Sequence, residues 1–462
     1  MRYDLEQIAR LTGGRLCPSD ADGVVVKVST DSRTIAAGDL FVPLRGERFD
    51  GHDFLAEAAR RGASACLSEE IVAGLSVPVI VVPDTLRALG DLAAAVRRNF
   101  NGPVVGVTGS SGKTTTKEMI ASILDRGGQG LKSPGNFNNL IGLPLTVLDM
   151  ETAHDWAVLE MGMNALGEIA RLCEIAGPQI GVLTNVGPAH LETLHGLEGV
   201  ARAKGELFAA LPPAGTAVVN IDDKRVRALP VANGVKKVFC GFSPEAQVRG
   251  EDVSSEGGAM RFRLFLPEGD WPVRLSVPGR HNVANALAAA AAARAAGASP
   301  EDIVQGLEAF EPEAGRMRIV RLANDVLLID DSYNSNPLSV EAALSVLNDL
   351  PGSGRKIAVL GDMLELGTDA SELHREVGRE AGERTDILFA YGEYADRVIG
   401  GAVERGMAED RALAAPDHGM IVNWLRHHLQ AGDRILIKGS RGMQMDRICR
   451  ELQDQNGRQA AG

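Results

Sequence analysis

Lys113 and Thr114 carry the most direct chemical signal in the chain, because they close the glycine-rich turn of the segment PVVGVTGSSGKTTTK over residues 103–117. A β-branched run, Val104, Val105 and Val107, stops there at Thr108-Gly109-Ser110-Ser111-Gly112, and a helical stripe of Met119, Ile120, Ile123 and Leu124 follows. Strand, glycine-rich turn and helix N-terminus in that order let backbone N–H groups converge on a phosphate. Lys113 adds a point charge, Thr114 offers a hydroxyl to Mg²⁺, and the cradle runs on to Thr115. The full pattern GxxxxGK[ST] asks for glycine where this chain has Val107, with Gly106 one residue early, so only its GxxGKT half matches. The order of the elements still favours nucleotide binding over a purely structural turn.

Other candidate groups lie at the ends of apolar runs, where a parallel sheet would turn them toward the same phosphates. Glu160 ends AVLE, and a carboxylate so placed needs a cation, best supplied by the Mg²⁺ of the nucleotide. His190 follows Asn185 in TNVGPAHLE, where a ligand role and a structural one both stay open. Asn282 and Asn285 stand i, i+3 apart at the start of an alanine-rich helix; they either hold a purine edge or simply belong to a close-packing helix. No NKxD guanine signature occurs, so ATP is preferred to GTP. Lys204 falls on the apolar stripe of LEGVARAKGELFAAL with Leu197, Val200, Leu207 and Phe208. Its ammonium either snorkels to water or is buried, and burial lowers the amine pKa until the neutral form can react with CO₂ to give a carbamate.

Strand exits elsewhere are also polar. Asp31, Ser32 and Arg33, then Arg45, face a ligand or form an Asx turn with solvated arginines. Near the C-terminus three clusters follow apolar runs: Asp331, Tyr333, Asn334 and Asn336 in DDSYNSNP, Asp362 in LGDMLELG, and Lys438, Ser440 and Arg441 in KGSRG. A helix cap would explain any one of them, but not three at strand carboxyl ends.

The elements that must position these groups read as α/β throughout, in three domains. At 462 residues the chain exceeds one ordinary core. Residues 1–84 alternate VVVKVS, DLFVPL, ASACLS and VPVIVV with one helix, HDFLAEAARRG, and Asp84 caps a connecting helix. Residues 85–312 repeat strand and helix as a phosphate-loop ATPase-like parallel sheet, with MRFRLF and VRLSV as a β-hairpin on its flank. Residues 313–462 restart the pattern as a second, Rossmann-like parallel sheet through VLLIDDSY, KIAVLGDM, ILFAYG and DRILIKGS. Hydrophobic content of 45% and charged content of 24% are those of a globular protein. A net charge of −13 argues against nucleic acid or an anionic membrane as partner. Cys17, Cys66, Cys173, Cys240 and Cys449 show no CxxC pairing, as expected of reduced thiols in cytosol. The acid-bearing MRYDLEQIARLTGG is no signal peptide, and the alanine-dominated ANALAAAAAA is no membrane span.

Together TDSR, DLFVPLRGERFDGHDF, GVTGSSGKTTTKE, GNFNNLIGLPLT, LEMGMNALGEI, TNVGPAHLE, ARAKGELF, GRHNVANALAAA, GRM, DDSYNSNP, GDMLELG and KGSRG resemble the Mur ligase family over nearly the whole chain. The resemblance implies a cytoplasmic, ATP-dependent, ADP-forming amide ligase of peptidoglycan precursor synthesis. DSYNSNP with GDMLELG is similar to the branch that joins D-alanyl-D-alanine to UDP-N-acetylmuramoyl-tripeptide, with Ser335 where alanine is commoner. The DNPR motif typical of the sister adding the third amino acid is absent. By the same resemblance Asp31, Ser32, Arg33 and Arg45 hold the UDP-sugar, and Asn136, Asn138 and Asn139 face the substrate. Thr114 and Glu160 hold one Mg²⁺, with His190 and a carbamylated Lys204 at a second. Arg316 and Asp331 meet the ATP phosphates and ribose as the last domain closes. Tyr333, Asn334, Asn336, Lys438, Ser440 and Arg441 belong to that domain's own substrate pocket, and a monomer is expected. A sister ligase adding a single amino acid, or a nucleotide-driven switch or motor, are the other readings; a switch needs no second substrate pocket.

Overall fold

A computed structural model describes residues 2–46, 48–188, 191–194 and 196–459. Three larger sheets, each with its own helices, follow one another along the chain, besides a two-stranded antiparallel pair of Tyr3–Asp4 and Val24–Val25. The first has five strands in the order Arg15–Cys17, Val79–Val81, Ala65–Ser68, Asp39–Phe41 and Lys27–Ser29, parallel except at the first pair. Besides the expected helix at Leu55–Arg61, this segment has a second at Leu5–Leu11. That helix is specified by a capping box: Gln7 N–H donates to the Asp4 carboxylate at 2.7 Å, and Asp4 N–H to Gln7 Oε1 at 3.0 Å. Helix Thr85–Arg97, capped by Asp84, then packs on helices Gly142–Leu148 and Glu168–Ala176 beneath the central sheet.

The central sheet has nine strands, and Val104–Thr108 lies inside it between Trp156–Glu160 and Ile180–Leu183, both parallel to it. The alternation of side chains across the strand divides the core into two layers. Val104 faces one with Leu159 and Leu207, while Val105 and Val107 face the other with Met119, Ile120 and the alanines of helix Arg280–Ala295. Val107, the departure from the phosphate-loop pattern, is thus a fully buried strand residue, and the loop's left-handed glycines come later. Strands Ala259–Leu266 and Gly269–Leu275 pair as the expected hairpin and continue the same sheet through Val248–Glu256. Alanine at most positions of Arg280–Ala295 leaves little side-chain bulk, so that helix lies close on helix Lys113–Leu124.

The third sheet has six strands, of which the edge strand Arg318–Arg321 is antiparallel to Leu327–Asp331. The strands expected there, Leu327–Asp331, Lys356–Gly361, Ile387–Tyr391 and Arg434–Lys438, are parallel as read, and the antiparallel edge strand is an arrangement that the sequence reading did not include. Its cause is local: the connection is a short turn in which Asn324 and Asp325 take φ of 56° and 63°, and only a crossover of a dozen or more residues could bring the strands parallel. Among the described residues no helix is long and apolar enough to cross a membrane.

Candidate active site

The carboxyl ends of the central strands and the carboxyl ends of the third domain's strands enclose a cavity of about 540 Å³. The phosphate-loop helix begins at Lys113, so the N–H groups of its first turn, including those of Thr114 and Thr115, have no partner within the helix and face this space. Gly112 holds φ +80°, and a Cβ there would run into the Asn285 amide; at Gly109, φ +151°, it would strike the Thr184 hydroxyl. Only glycine meets both requirements. The rest of the loop is moored to the exit of the next strand. Ser111 N–H donates to Asn185 Oδ1 at 2.9 Å, Thr184 Oγ1 donates to the Ser111 carbonyl at 2.6 Å, and Ser110 Oγ donates to the Gly187 carbonyl at 3.0 Å. Thr108 Oγ1 donates to the Met161 carbonyl at 2.8 Å. Thr108, Ser110 and Ser111 therefore shape the loop, and the first-turn amides and Lys113 remain to meet phosphate. Lys113 Nζ donates to the Gly109 carbonyl at 2.8 Å, and its pKa is lowered by burial of the ammonium, against the pull of Glu160.

Glu160 ends its strand almost fully buried. It accepts from Thr114 Oγ1 and from Asn138 Nδ2, each at 2.8 Å. The register that sets Glu160 opposite Val107 brings the carboxylate to the start of the phosphate-loop helix. A hydroxyl and one carboxylate are hard oxygen donors, and they fit a Mg²⁺ that takes its other ligands from phosphate and water. Among the described residues no group of three or more His, Cys, Asp or Glu is placed to hold a metal by itself. His190 lies outside the described residues. Lys204, on helix Leu197–Ala209, is 1% exposed, so its ammonium does not reach solvent as snorkelling would require. Burial, and then the nearby Lys113, hold its pKa well below that of an ordinary lysine.

Asn282 and Asn285 line the cavity behind the loop, where Asn282 Nδ2 donates to the Pro278 carbonyl at 2.7 Å and Asn285 Nδ2 to Asn282 Oδ1 at 3.2 Å. Much of their amide capacity is thus turned inward, bracing Gly112. Asn136, Asn138 and Asn139 also line the cavity, and Asn139 Oδ1 accepts from Gly142 N–H at 2.8 Å.

From the third domain Arg316 reaches across, its guanidinium donating to Thr114 Oγ1 at 3.1 Å and lying 3.9 Å over the Tyr333 ring. Asp331 is held by buried Lys438 at 2.6 Å and accepts from Met317 N–H at 3.1 Å. Lys438 also donates to the Asn334 carbonyl at 2.9 Å, and Arg441 donates to the Tyr333 hydroxyl at 2.8 Å. Ser440 Oγ accepts from Leu364 N–H at 2.9 Å, which ties the GDMLELG turn to KGSRG. Asn336 caps helix Pro337–Asp349 through Ser339 N–H at 2.9 Å and reaches the Ser110 carbonyl at 3.4 Å.

The N-terminal candidates stand apart from this cavity. Asp31 accepts from Arg33 N–H at 2.9 Å as an Asx turn and from the Arg33 guanidinium at 2.8 Å, which lowers its pKa to about 2. Ser32 is buried beneath that turn, and Arg45 pairs with Glu69 at 3.0 Å and Asp50 at 3.3 Å. Sequence reasoning passed over Thr184, whose hydroxyl moors the loop, and His281, which lines the cavity beside Asn282. Both stood in runs that carried a legible signal, His281 in GRHN and Thr184 at the head of TNVGPAHLE.

Comparison with known proteins agrees with this architecture in each part. Residues 24–97 match the Mur ligase family catalytic domain, 107–293 the Mur ligase middle domain, and 315–441 the Mur ligase glutamate ligase domain. The UDP-N-acetylmuramoyl-tripeptide–D-alanyl-D-alanine ligase of Escherichia coli is 38% identical over 97% of this chain and 98% of its own length. The crystal structure of MurF from Acinetobacter baumannii superposes with a TM-score of 0.90 at 34% identity, covering 98% of this chain and 99% of that one. MurF from Thermotoga maritima, solved in complex with ADP, gives 0.84 at 30% identity over 94% and 98%. Full-length identity at this level, on the same three-part α/β architecture, places the chain in the Mur ligase family.

Proposed function

We propose that this ligase joins D-alanyl-D-alanine to UDP-N-acetylmuramoyl-tripeptide in the cytoplasm, as a monomer, with ATP converted to ADP and phosphate. The observation that carries the reading is the contact of Arg316 with Thr114, which joins a phosphate-binding loop to a second domain's own polar strand ends. Residues 1–84 take the UDP-sugar through Asp31, Ser32, Arg33 and Arg45, residues 85–312 take ATP, and residues 313–462 take the dipeptide. Leu338 and Leu364, 39% and 46% exposed on the cavity wall, supply apolar surface for a dipeptide bearing only methyl side chains.

A peptide carboxylate is a poor electrophile, so its oxygen first attacks the γ-phosphorus and the bond to the β–γ bridging oxygen breaks, giving an acyl phosphate and ADP. Lys113 and the first-turn amides neutralise charge on the moving oxygens. Thr114 and Glu160 would hold one Mg²⁺, and His190 with a carbamylated Lys204 a second, and the ions would supply further charge neutralisation. Arg316 adds its charge from the opposite wall and, with Asp331, brings the third domain down on the nucleotide. The dipeptide amine then attacks the acyl carbon, a tetrahedral intermediate forms, and phosphate leaves. Closure of the third domain excludes the water that would otherwise take the acyl group.

The test is ADP release across a panel of UDP-linked peptides, with D-alanyl-D-alanine set against single amino acids as acceptor. Dipeptide-dependent release supports the reading, and release that needs one amino acid points to a sister ligase. Hydroxylamine separates ligation from a nucleotide switch. A trapped hydroxamate requires an acyl phosphate, and none with ATP and the UDP-linked peptide present and the dipeptide left out would overturn the mechanism.

A further inference from the structure

Arg316 reaches the phosphate loop from a linker of unusual geometry. Gly315 has φ +75° and Met317 φ 55°, so left-handed residues flank the arginine on both sides. A left-handed methionine is costly and persists only where its surroundings impose it. What imposes it is the end of strand Leu327–Asp331. Gly315 N–H donates to Asp330 Oδ2 at 3.2 Å, the Gly315 carbonyl accepts from Tyr333 N–H at 3.1 Å, and Met317 N–H donates to Asp331 Oδ1 at 3.1 Å. Successive carboxylates thus grip the linker immediately before and immediately after Arg316.

The two are anchored differently. Asp331 is paired with Lys438, whereas Asp330 is 6% exposed and has no cationic partner among the described residues. Neutral donors hold it: Ser332 Oγ at 2.5 Å, Ser332 N–H at 3.3 Å, the Cys449 thiol at 3.3 Å and the linker amide itself. A buried carboxylate without a counter-charge is expensive, and the linker amide is one of the few donors that offset it. Meanwhile Arg316 Nε is buried with no hydrogen-bond partner, so the guanidinium is held in place by its linker, the Tyr333 ring and one bond to Thr114.

We propose that Asp330 is a positioning residue of the reaction: by fixing Gly315 it sets the linker that carries Arg316 onto the phosphate-binding loop. The proposal rests on the reading above in which Arg316 meets the ATP phosphates. Asp330 itself touches no substrate and acts only through the arginine.

A double-mutant cycle on the full chain tests it, with kcat and KM measured for ADP release and thermal unfolding followed in parallel. Asp330→Asn is expected to lower kcat tenfold or more with KM for the UDP-linked peptide within about twofold, and to cost less than twofold once Arg316→Ala is present. Equal losses in both backgrounds, or an unchanged kcat in the single variant, would overturn the proposal. If Asp330→Asn fails to fold, Gly315→Ala loosens the same grip from the linker side, since a Cβ there meets Tyr333 at 3.2 Å. It should show the same split and the same dependence on Arg316, and additivity there also overturns the idea. Should Arg316→Ala alone leave turnover intact, the phosphate-contact reading falls and takes the proposal with it. If Arg316→Ala is damaging but additive with Asp330→Asn, only the proposal falls.

Discussion

Replacing Lys113 with alanine should separate activity from stability, because the structure gives the two effects different origins. The side chain is only half-buried along the cavity wall, yet its ammonium is set deep enough for burial to lower its pKa. A base whose pKa is depressed on folding is disfavoured as a cation in the native state, so removing it relieves a cost at neutral pH. Loss of its bond to the Gly109 carbonyl costs about 1 kcal/mol in the other direction, and the net change in stability should lie within about 1 kcal/mol. Turnover has no such compensation. A unit charge about 4 Å from a phosphoryl oxygen, at an effective dielectric of about 20, is worth roughly 4 kcal/mol. At about 1.4 kcal/mol per tenfold, Lys113→Ala should lose about three orders of magnitude in kcat. The assay is ADP release under saturating substrates alongside thermal unfolding of the same preparation. A kcat within tenfold of wild type, or a loss of activity matched by a collapse in stability, would refute the assignment of Lys113 to the transferring phosphoryl group.

Lys204→Ala should be nearly inactive and partly restored by added acetate, which returns an anion to the space; ordinary activity in the unrescued variant would exclude the carbamate. Gly112→Ala should destabilise the protein by about 2–3 kcal/mol, since a left-handed alanine is strained and its Cβ meets Asn285, and a thermal shift within a degree of wild type would contradict this. His281 has a pKa lowered to about 4 by burial, against 6.5 when unfolded, so the unfolded chain binds the extra proton between these values. Stability should therefore fall as pH drops from about 6.5 towards 4, and denaturant unfolding of His281→Asn should show a shallower acid slope; an identical slope would place the effect elsewhere.

What could be read in the sequence was whatever is carried by neighbours along the chain. Strand Val104–Thr108, the glycine turn and helix Lys113–Leu124 were legible because periodicity, glycine and capping act within a dozen residues. The capping box at Asp4 and Gln7 was equally local, yet the reading of one helix in this segment passed over Leu5–Leu11, whereas edge strand Gly130–Lys132 has no β-branched residue to mark it. Asp31 and Arg33 show the limit of reading function from type: turn, carboxylate and arginine satisfy one another, and local chemistry alone accounts for their arrangement. The contacts that assemble the cavity join residues far apart in the chain, Thr114 with Glu160 and Arg316, Asp330 with Gly315 and Cys449, Asp331 with Lys438. No spacing rule pairs such residues; the fold does. Adjacent aspartates at the end of one strand look alike in sequence, but one meets a lysine and the other only neutral donors. That difference is what makes Asp330 informative. A carboxylate kept buried without a cation needs its donors, and among those donors is the backbone that places Arg316.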